Sequence, residues 1–437
     1  MPAAKSRYPS QKGIWGFEID IRGFLYTSLH IYKFVYIFVE SFKQRYMATA
    51  GKISIKTGPP VEGADFYGRE KELQYAWEYH ISKGGSLLLS APRRVGKSSF
   101  SKRMLALAAK NGWKTLYLDL QGIGTESEFV KLFKTELPKE GWWENAKSKV
   151  GDTILNVFDS IEDLEIVGSK VSINSGVWRN DTYGKIKKLI EDSDDILIVI
   201  DELTIYLNHL LALENGKEKV EFFLEWLRSF RQTTKACWIL CSSVGIENFA
   251  SMHQLSKHLN DIHNYPISAF SEDEARDFIS RLDVDKKVQF TDKDIQRILD
   301  KLVWYLPYFI QLLVEKINFL ICVEGRQLST DTIDEAYNRL ATEDHFNTWD
   351  ERLKEYYDFE DSARKVLKLC AEVPVGRSRE DLLANLSVKK KNIEKIEAVL
   401  AQSLRMLMND GYLIENNGKY AFRSPLLRDF WYNRFIR

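Results

Sequence analysis

The chain has 437 residues, 44% of them hydrophobic and 28% charged, and its 62 Lys plus Arg equal its 62 Asp plus Glu. That length exceeds one ordinary core and predicts two or three domains. The composition excludes a disordered or membrane-embedded chain, and the zero net charge leaves only local basic surfaces for nucleic acid. Cys237, Cys241, Cys322 and Cys370 form no CxxC pair and have no His cluster at metal spacing. Buried reduced thiols and a cytoplasmic location are therefore expected.

Residues 1–46 stand apart. The apolar run 24–39 is shorter than a membrane span and carries His30 and Lys33. No small-residue cleavage site follows it. Met47 then opens a sequence of different texture. Three readings stay open: an atypical extension from an over-called start, which leads; an anchor for a membrane or partner; and an ordinary structured segment.

Residues 86–90 (SLLLS) read as a short buried strand, followed at once by Ala91-Pro92-Arg93-Arg94-Val95-Gly96-Lys97-Ser98 and by a helical pattern over 99–109. Strand, glycine-containing loop and helix are the context of a Walker A phosphate loop. Loop amides and the helix N-terminus would meet phosphate charge, Lys97 would reach the β- and γ-phosphates of ATP, and the Ser98 hydroxyl would ligate Mg²⁺. Ala91 stands where the motif has its first glycine. The candidate cradle is Ala91, Pro92, Arg93, Arg94, Val95, Gly96, Lys97, Ser98 and Ser99.

Residues 196–200 (ILIVI) have the texture of a central parallel strand buried on both faces, and they end in Asp201-Glu202. A carboxylate at the carboxyl end of such a strand faces the phosphate-loop crevice. Asp201 is the candidate metal-side carboxylate and Glu202 the candidate general base. A further strand, 236–241, ends in Ser242-Ser243, and Ser243 is a candidate γ-phosphate sensor. Its plain alternative is the start of a Ser-rich loop. Arg228 and Arg231 lie near the end of the helix 218–232. They read either as finger or sensor arginines or, more ordinarily, as partners of the helix dipole.

From Ser271 to about Glu343 the pattern is helical, with capping signals at Ser271, Thr291 and Thr330 and no strand run. An all-helical stretch after an α/β domain predicts a lid. Amphipathic helices over 362–369, 379–386 and about 389–408 then precede a hairpin signal, Asn416-Asn417-Gly418. That order predicts a winged helix-turn-helix. From Asp361 to Arg437 there are fifteen Lys/Arg against nine Asp/Glu, an excess of six positive charges. Lys389, Lys390 and Lys391 open the third helix and are candidate DNA contacts. Protein docking is the alternative.

Residues 66–73 (FYGREKEL), Pro92-Arg93-Arg94, 265–275 (YPISAFSEDEA), 304–312 (WYLPYFIQL) and 424–431 (SPLLRDFW) resemble, together, the AAA+/STAND-type prokaryotic ATPases related to origin-recognition ATPases. The likeness runs from Ala64 to the C-terminus. It implies that Tyr67, Gly68 and Arg69 lie against the adenine and that Pro307 packs near the base, with Tyr305 where the family often has glycine.

The expected architecture is an α/β P-loop NTPase with a parallel sheet and flanking helices, a helical lid and a C-terminal winged helix-turn-helix. Its expected boundaries are 1–46, 47–262, 263–345 and 346–437. The expected function is an ATP-binding, ATP-hydrolysing switch acting on DNA, a partner protein or a homo-oligomer. A nucleotide-loaded interaction module with negligible turnover is the alternative.

Overall fold

The computed structural model describes residues 51–137, 176–191, 195–242, 245–387 and 393–437. The extension 1–46, Ser243, and Lys389, Lys390 and Lys391 lie outside them. Five parallel strands form the first sheet: β1 (Leu87–Ser90), β2 (Lys114–Asp119), β3 (Ile196–Asp201), β4 (Cys237–Ser242) and β5 (His263–Asn264). Their order is β2-β3-β4-β1-β5, with Leu87 opposite Ile239 and Asp119 opposite Asp201. β1 and β3 are thus neighbours of β4 but not of each other. The fifth strand lies just beyond residue 262, so the sheet extends past the expected end of the core.

The apolar run of β3 is explained by its two buried faces. Ile196, Ile198 and Ile200 join a core with Phe129, Tyr206, Phe223 and Trp238. Leu197 and Val199 point the other way, into a core with Phe100 and Met104. Period-2 alternation sends successive side chains to opposite faces, so burying both requires an unbroken apolar strand. The flanking helices are α1 (Glu70–Tyr79), α2 (Lys97–Lys110), α3 (Glu126–Glu136), α4 (Gly176–Glu191), α5 (Leu203–Leu211), α6 (Gly216–Thr233) and α7 (Ile246–Met252).

Four helices follow: α8 (Glu272–Arg281), α9 (Asp292–Leu302), α10 (Pro307–Cys322) and α11 (Thr330–Leu340). Ser271 and Glu274, and Thr291 and Asp294, form reciprocal capping boxes. The third cap differs from expectation: Ser329 rather than Thr330 accepts the Thr332 N–H, and Thr330 is the first helical residue. A hydroxyl one position earlier reaches the free amide of the first turn, so the helix starts there.

The C-terminal part holds α12 (Asn347–Glu351), a 3₁₀ stretch Arg352–Phe359, α13 (Glu360–Glu372), β6 (Arg377–Ser378), α14 (Arg379–Ser387), α15 (Ile393–Asn409), β7 (Leu413–Asn416), β8 (Lys419–Phe422) and α16 (Pro425–Phe435). β7 and β8 pair as a hairpin, and β6 adds to β8 on its other edge, in an antiparallel sheet ordered β6-β8-β7. Asn417 and Gly418 turn the hairpin with φ of 51° and 73°, the positive values a two-residue turn needs. α13 packs on α15 and α16. The core of this part is continuous with that of α8–α11 and with one face of the first sheet.

Among the described residues, no helix is long and apolar enough to cross a membrane. The four cysteines are free thiols, three of them buried.

Candidate nucleotide-binding site

β1 hands directly to a loop that closes on the N-terminus of α2. Gly96 takes φ of 103°, which a side chain would disfavour, so the glycine of the GKS core is required by the backbone. Ala91 has no such positive φ and so tolerates its methyl group. Arg94 does, at 65°, and is held there by two contacts. Its Nη1 donates to the Gly58 carbonyl at 3.2 Å, and its guanidinium lies 4.4 Å from the Tyr308 ring centroid. Lys97 is buried, and its Nζ donates to the carbonyls of Ala91 at 2.7 Å and Pro92 at 3.1 Å. Burial pulls the Lys97 ammonium down to a pKa of about 8, against the attraction of Glu202 and Asp201.

β3 brings Asp201 to the same crevice. Its carboxylate is buried; Oδ2 accepts the Tyr117 hydroxyl of β2 at 2.6 Å, and Oδ1 accepts the Glu202 N–H at 3.0 Å. Burial and Asp201 both push the Tyr117 phenol far above its usual range, so it is a donor at every physiological pH. Asp119, opposite Asp201 in register, lines the same cavity. Glu202 stands at the residue before α5 with φ of 55°.

The cavity encloses about 280 Å³. Its floor is the phosphate loop with Lys97, Ser98 and Ser99; one wall holds Asp201 and Glu202, and the other holds Phe270, Pro307, Tyr308 and Gln311 of the lid. Residues 56–61 run over it as a strap, anchored where Lys56 N donates to Gln311 Oε1 at 2.6 Å and Val61 N to Ser99 Oγ at 3.0 Å. Tyr67 packs edge-on against Phe270 and tilted against Phe278, while its hydroxyl donates to Asp277 at 2.6 Å. Arg69 is buried and donates to the Val95 carbonyl at 3.1 Å and the Ser268 carbonyl at 2.6 Å. Gly68 keeps φ of 69°, and a Cβ there would stand 3.7 Å from the Phe270 ring. Tyr67 and Arg69 therefore tie the phosphate loop to the lid as well as lining the cavity.

A group of residues that sequence reasoning missed reaches the loop from the C-terminal part. Asp410, at the end of α15, accepts the Gly245 N–H at 3.2 Å and the Tyr356 hydroxyl at 2.6 Å. Gly411 is packed so closely that a Cβ there would stand 2.8 Å from Pro92 and 2.7 Å from Trp304. Arg352 and Asp410 are both buried. Burial disfavours the Arg352 charge, but Glu355, Asp410 and Glu202 outweigh it and raise the pKa. Burial likewise raises Asp410 and Glu355, in both cases opposed by Arg352. Their only sequence signal was an acid before glycine at a helix end.

The arginines of α6 lie elsewhere. Arg228 donates to the Lys257 carbonyl at 2.8 Å, and Arg231 to the His258 carbonyl at 2.8 Å and to Asp261. Neither lines the cavity.

No protein-family model matches the sequence, and no curated protein matches it. The structure is similar to a Walker-type ATPase of Pyrococcus abyssi, with a TM-score of 0.55 at 16% identity over 86% of this chain and 99% of that one. It is also similar to the ORC2 protein of Aeropyrum pernix, solved as ADPNP–ADP complexes, with a TM-score of 0.50 at 12% identity over 86% and 95% of the two chains. The fold is that of a P-loop ATPase. At these identities the likeness concerns the fold, and the roles of individual residues rest on the geometry above.

Proposed function

We propose that the chain is an ATP-binding and ATP-hydrolysing switch in which the nucleotide governs how the C-terminal part docks on the phosphate loop. What carries this reading is the direct seating of Asp410 and Gly411 on Gly245 and Pro92. A ligand that moves the loop must alter that contact, and the contact must in turn alter affinity for the ligand.

Lys97 would meet the β- and γ-phosphates, with loop amides and the N-terminus of α2 supplying further donors. The oxygens of Ser98 and Asp201 form the hard donor set that suits Mg²⁺. Bound there, Mg²⁺ would neutralise phosphate charge. Tyr117 would fix the Asp201 carboxylate, and Glu202 would take a proton from the attacking water. Tyr67, Gly68, Arg69 and Pro307 would frame the base, while Ser243 remains the candidate sensor from the sequence.

The order helix, strand, helix, helix, hairpin in the C-terminal part is read as a winged helix, as in a STAND-type switch. Its surplus of positive charge makes duplex DNA the proposed output, through Lys389, Lys390 and Lys391. A phosphate-release assay on wild type and Glu202→Gln, with and without a duplex, tests the reading. Turnover that Glu202→Gln removes supports it. Negligible turnover in wild type under both conditions would leave the nucleotide-loaded interaction module as the function. Binding of the duplex, followed across a salt series, should weaken alike on unrelated sequences when the three lysines become alanine. Unchanged curves would transfer the output to a protein partner.

A further inference from the structure

A second cluster of ligating groups lies outside the nucleotide cavity, on α6 and the turn that follows α7. Glu221 and Glu225 stand one helical turn apart on α6, and His258 sits in the 3₁₀ turn Ser256–His258 that leads into β5. One carboxylate oxygen of each glutamate and one ring nitrogen of the histidine all lie within 4.8 Å of one another. Glu221 Oε1 is 3.9 Å from His258 Nε2, too far for a hydrogen bond.

The independent observation is the histidine itself. His258 is only 2% exposed, yet among the described residues neither ring nitrogen has a hydrogen-bond partner. A buried polar atom left unsatisfied forfeits its hydration with nothing in return, so an imidazole with both nitrogens unmet calls for a ligand. Two carboxylates on one helix face also repel each other unless a cation lies between them.

We propose that Glu221, Glu225 and His258 form a binding site for a divalent transition metal of the zinc class, clamping α6 to the turn before β5. The imidazole nitrogen selects such an ion over Mg²⁺ or Ca²⁺, which prefer all-oxygen sites. Three protein donors leave the fourth tetrahedral position to water. Lys257 Nζ, 2.9 Å from Glu221 Oε1, competes for one donor, but its side chain is more than half exposed and free to turn to solvent. Arg228 and Arg231 engage backbone carbonyls of the same turn, which holds its shape.

The test is equilibrium dialysis of the chelator-treated full chain against Zn²⁺ without nucleotide, with Co²⁺ absorption as a second readout of coordination. The expected result is about one equivalent bound per chain. Glu225 is exposed, so Glu225→Gln keeps the fold, verified by circular dichroism, and should weaken the ion by at least about tenfold. His258→Gln should do the same and remove the Zn²⁺-dependent rise in melting temperature. No uptake by wild type, or binding by Glu225→Gln as tight as wild type whatever His258→Gln does, overturns the site.

Discussion

Raising the pH from 7 to 9 should weaken ATP binding by about tenfold, because Lys97 must be protonated to meet the phosphates. Burial puts the free lysine at about 8, and an ATP polyphosphate beside it would hold the proton on. If only the protonated form binds, the apparent Kd scales with the inverse of the protonated fraction. That factor is about 1.1 at pH 7, about 2 at pH 8 and about 11 at pH 9, a change of about 1.4 kcal/mol across the range. Folding stability moves the other way. The folded pKa lies below the unfolded value of 10.5, so the unfolded chain binds more protons between about 8 and 10.5. The Lys97 contribution to stability therefore improves as pH rises through that window and is lost below it. The assay is titration with a fluorescent ATP analogue at fixed ionic strength, for wild type and for Lys97→Arg, whose guanidinium stays charged throughout. Wild-type affinity that is flat from pH 7 to 9, or that falls in parallel with Lys97→Arg, would refute the reasoning.

Glu202→Gln should keep ATP affinity within a few-fold and lose turnover by about a hundredfold or more, measured by phosphate release; wild-type turnover would remove Glu202 as the base. Asp201→Ala should weaken Mg²⁺-dependent binding, read by repeating the titration with and without the metal. Asp410→Ala leaves the Gly245 N–H and the Tyr356 hydroxyl without their acceptor, at a cost of about 1–3 kcal/mol. Limited proteolysis should then cut between the lid and the C-terminal part faster than in wild type, and equal rates would argue against the contact as a latch. Arg179→Ala strands Glu126 next to it, a pair whose side chains are 8% and 9% exposed and 2.8 Å apart. Removing one member of such a buried pair costs about 3–5 kcal/mol in urea denaturation, and a loss below about 1 kcal/mol would show that water reaches the carboxylate.

The parts of the site that were legible in the sequence are local. The loop Ala91 to Ser98 could be read because strand, turn and helix follow one another without a break. Asp201 could be read because an apolar strand buried on two faces must end at the sheet edge. The hairpin at Asn417-Gly418 was legible for the same reason, a backbone need met by neighbouring residues. Tyr117 was not, since a tyrosine inside a strand has no pattern to mark which carboxylate it will face. Asp410 and Arg352 were further out of reach. They lie more than 250 residues from Lys97 in the chain, and only tertiary packing brings them to it. Arg228 and Arg231 show the converse: their positions on the helix were plain, but their partners depended on the turn at 256–261.

Gly411 has one more consequence. Its φ of 83° and its closeness to Pro92 exclude every side chain for two separate reasons. Were the backbone alone responsible, asparagine could stand there at modest cost; with the proline so near, it cannot. Gly411 therefore sets how near the C-terminal part can approach the phosphate loop. A larger residue there would have to push Pro92 and Trp304 away, so the two surfaces could stay pressed together only with glycine between them.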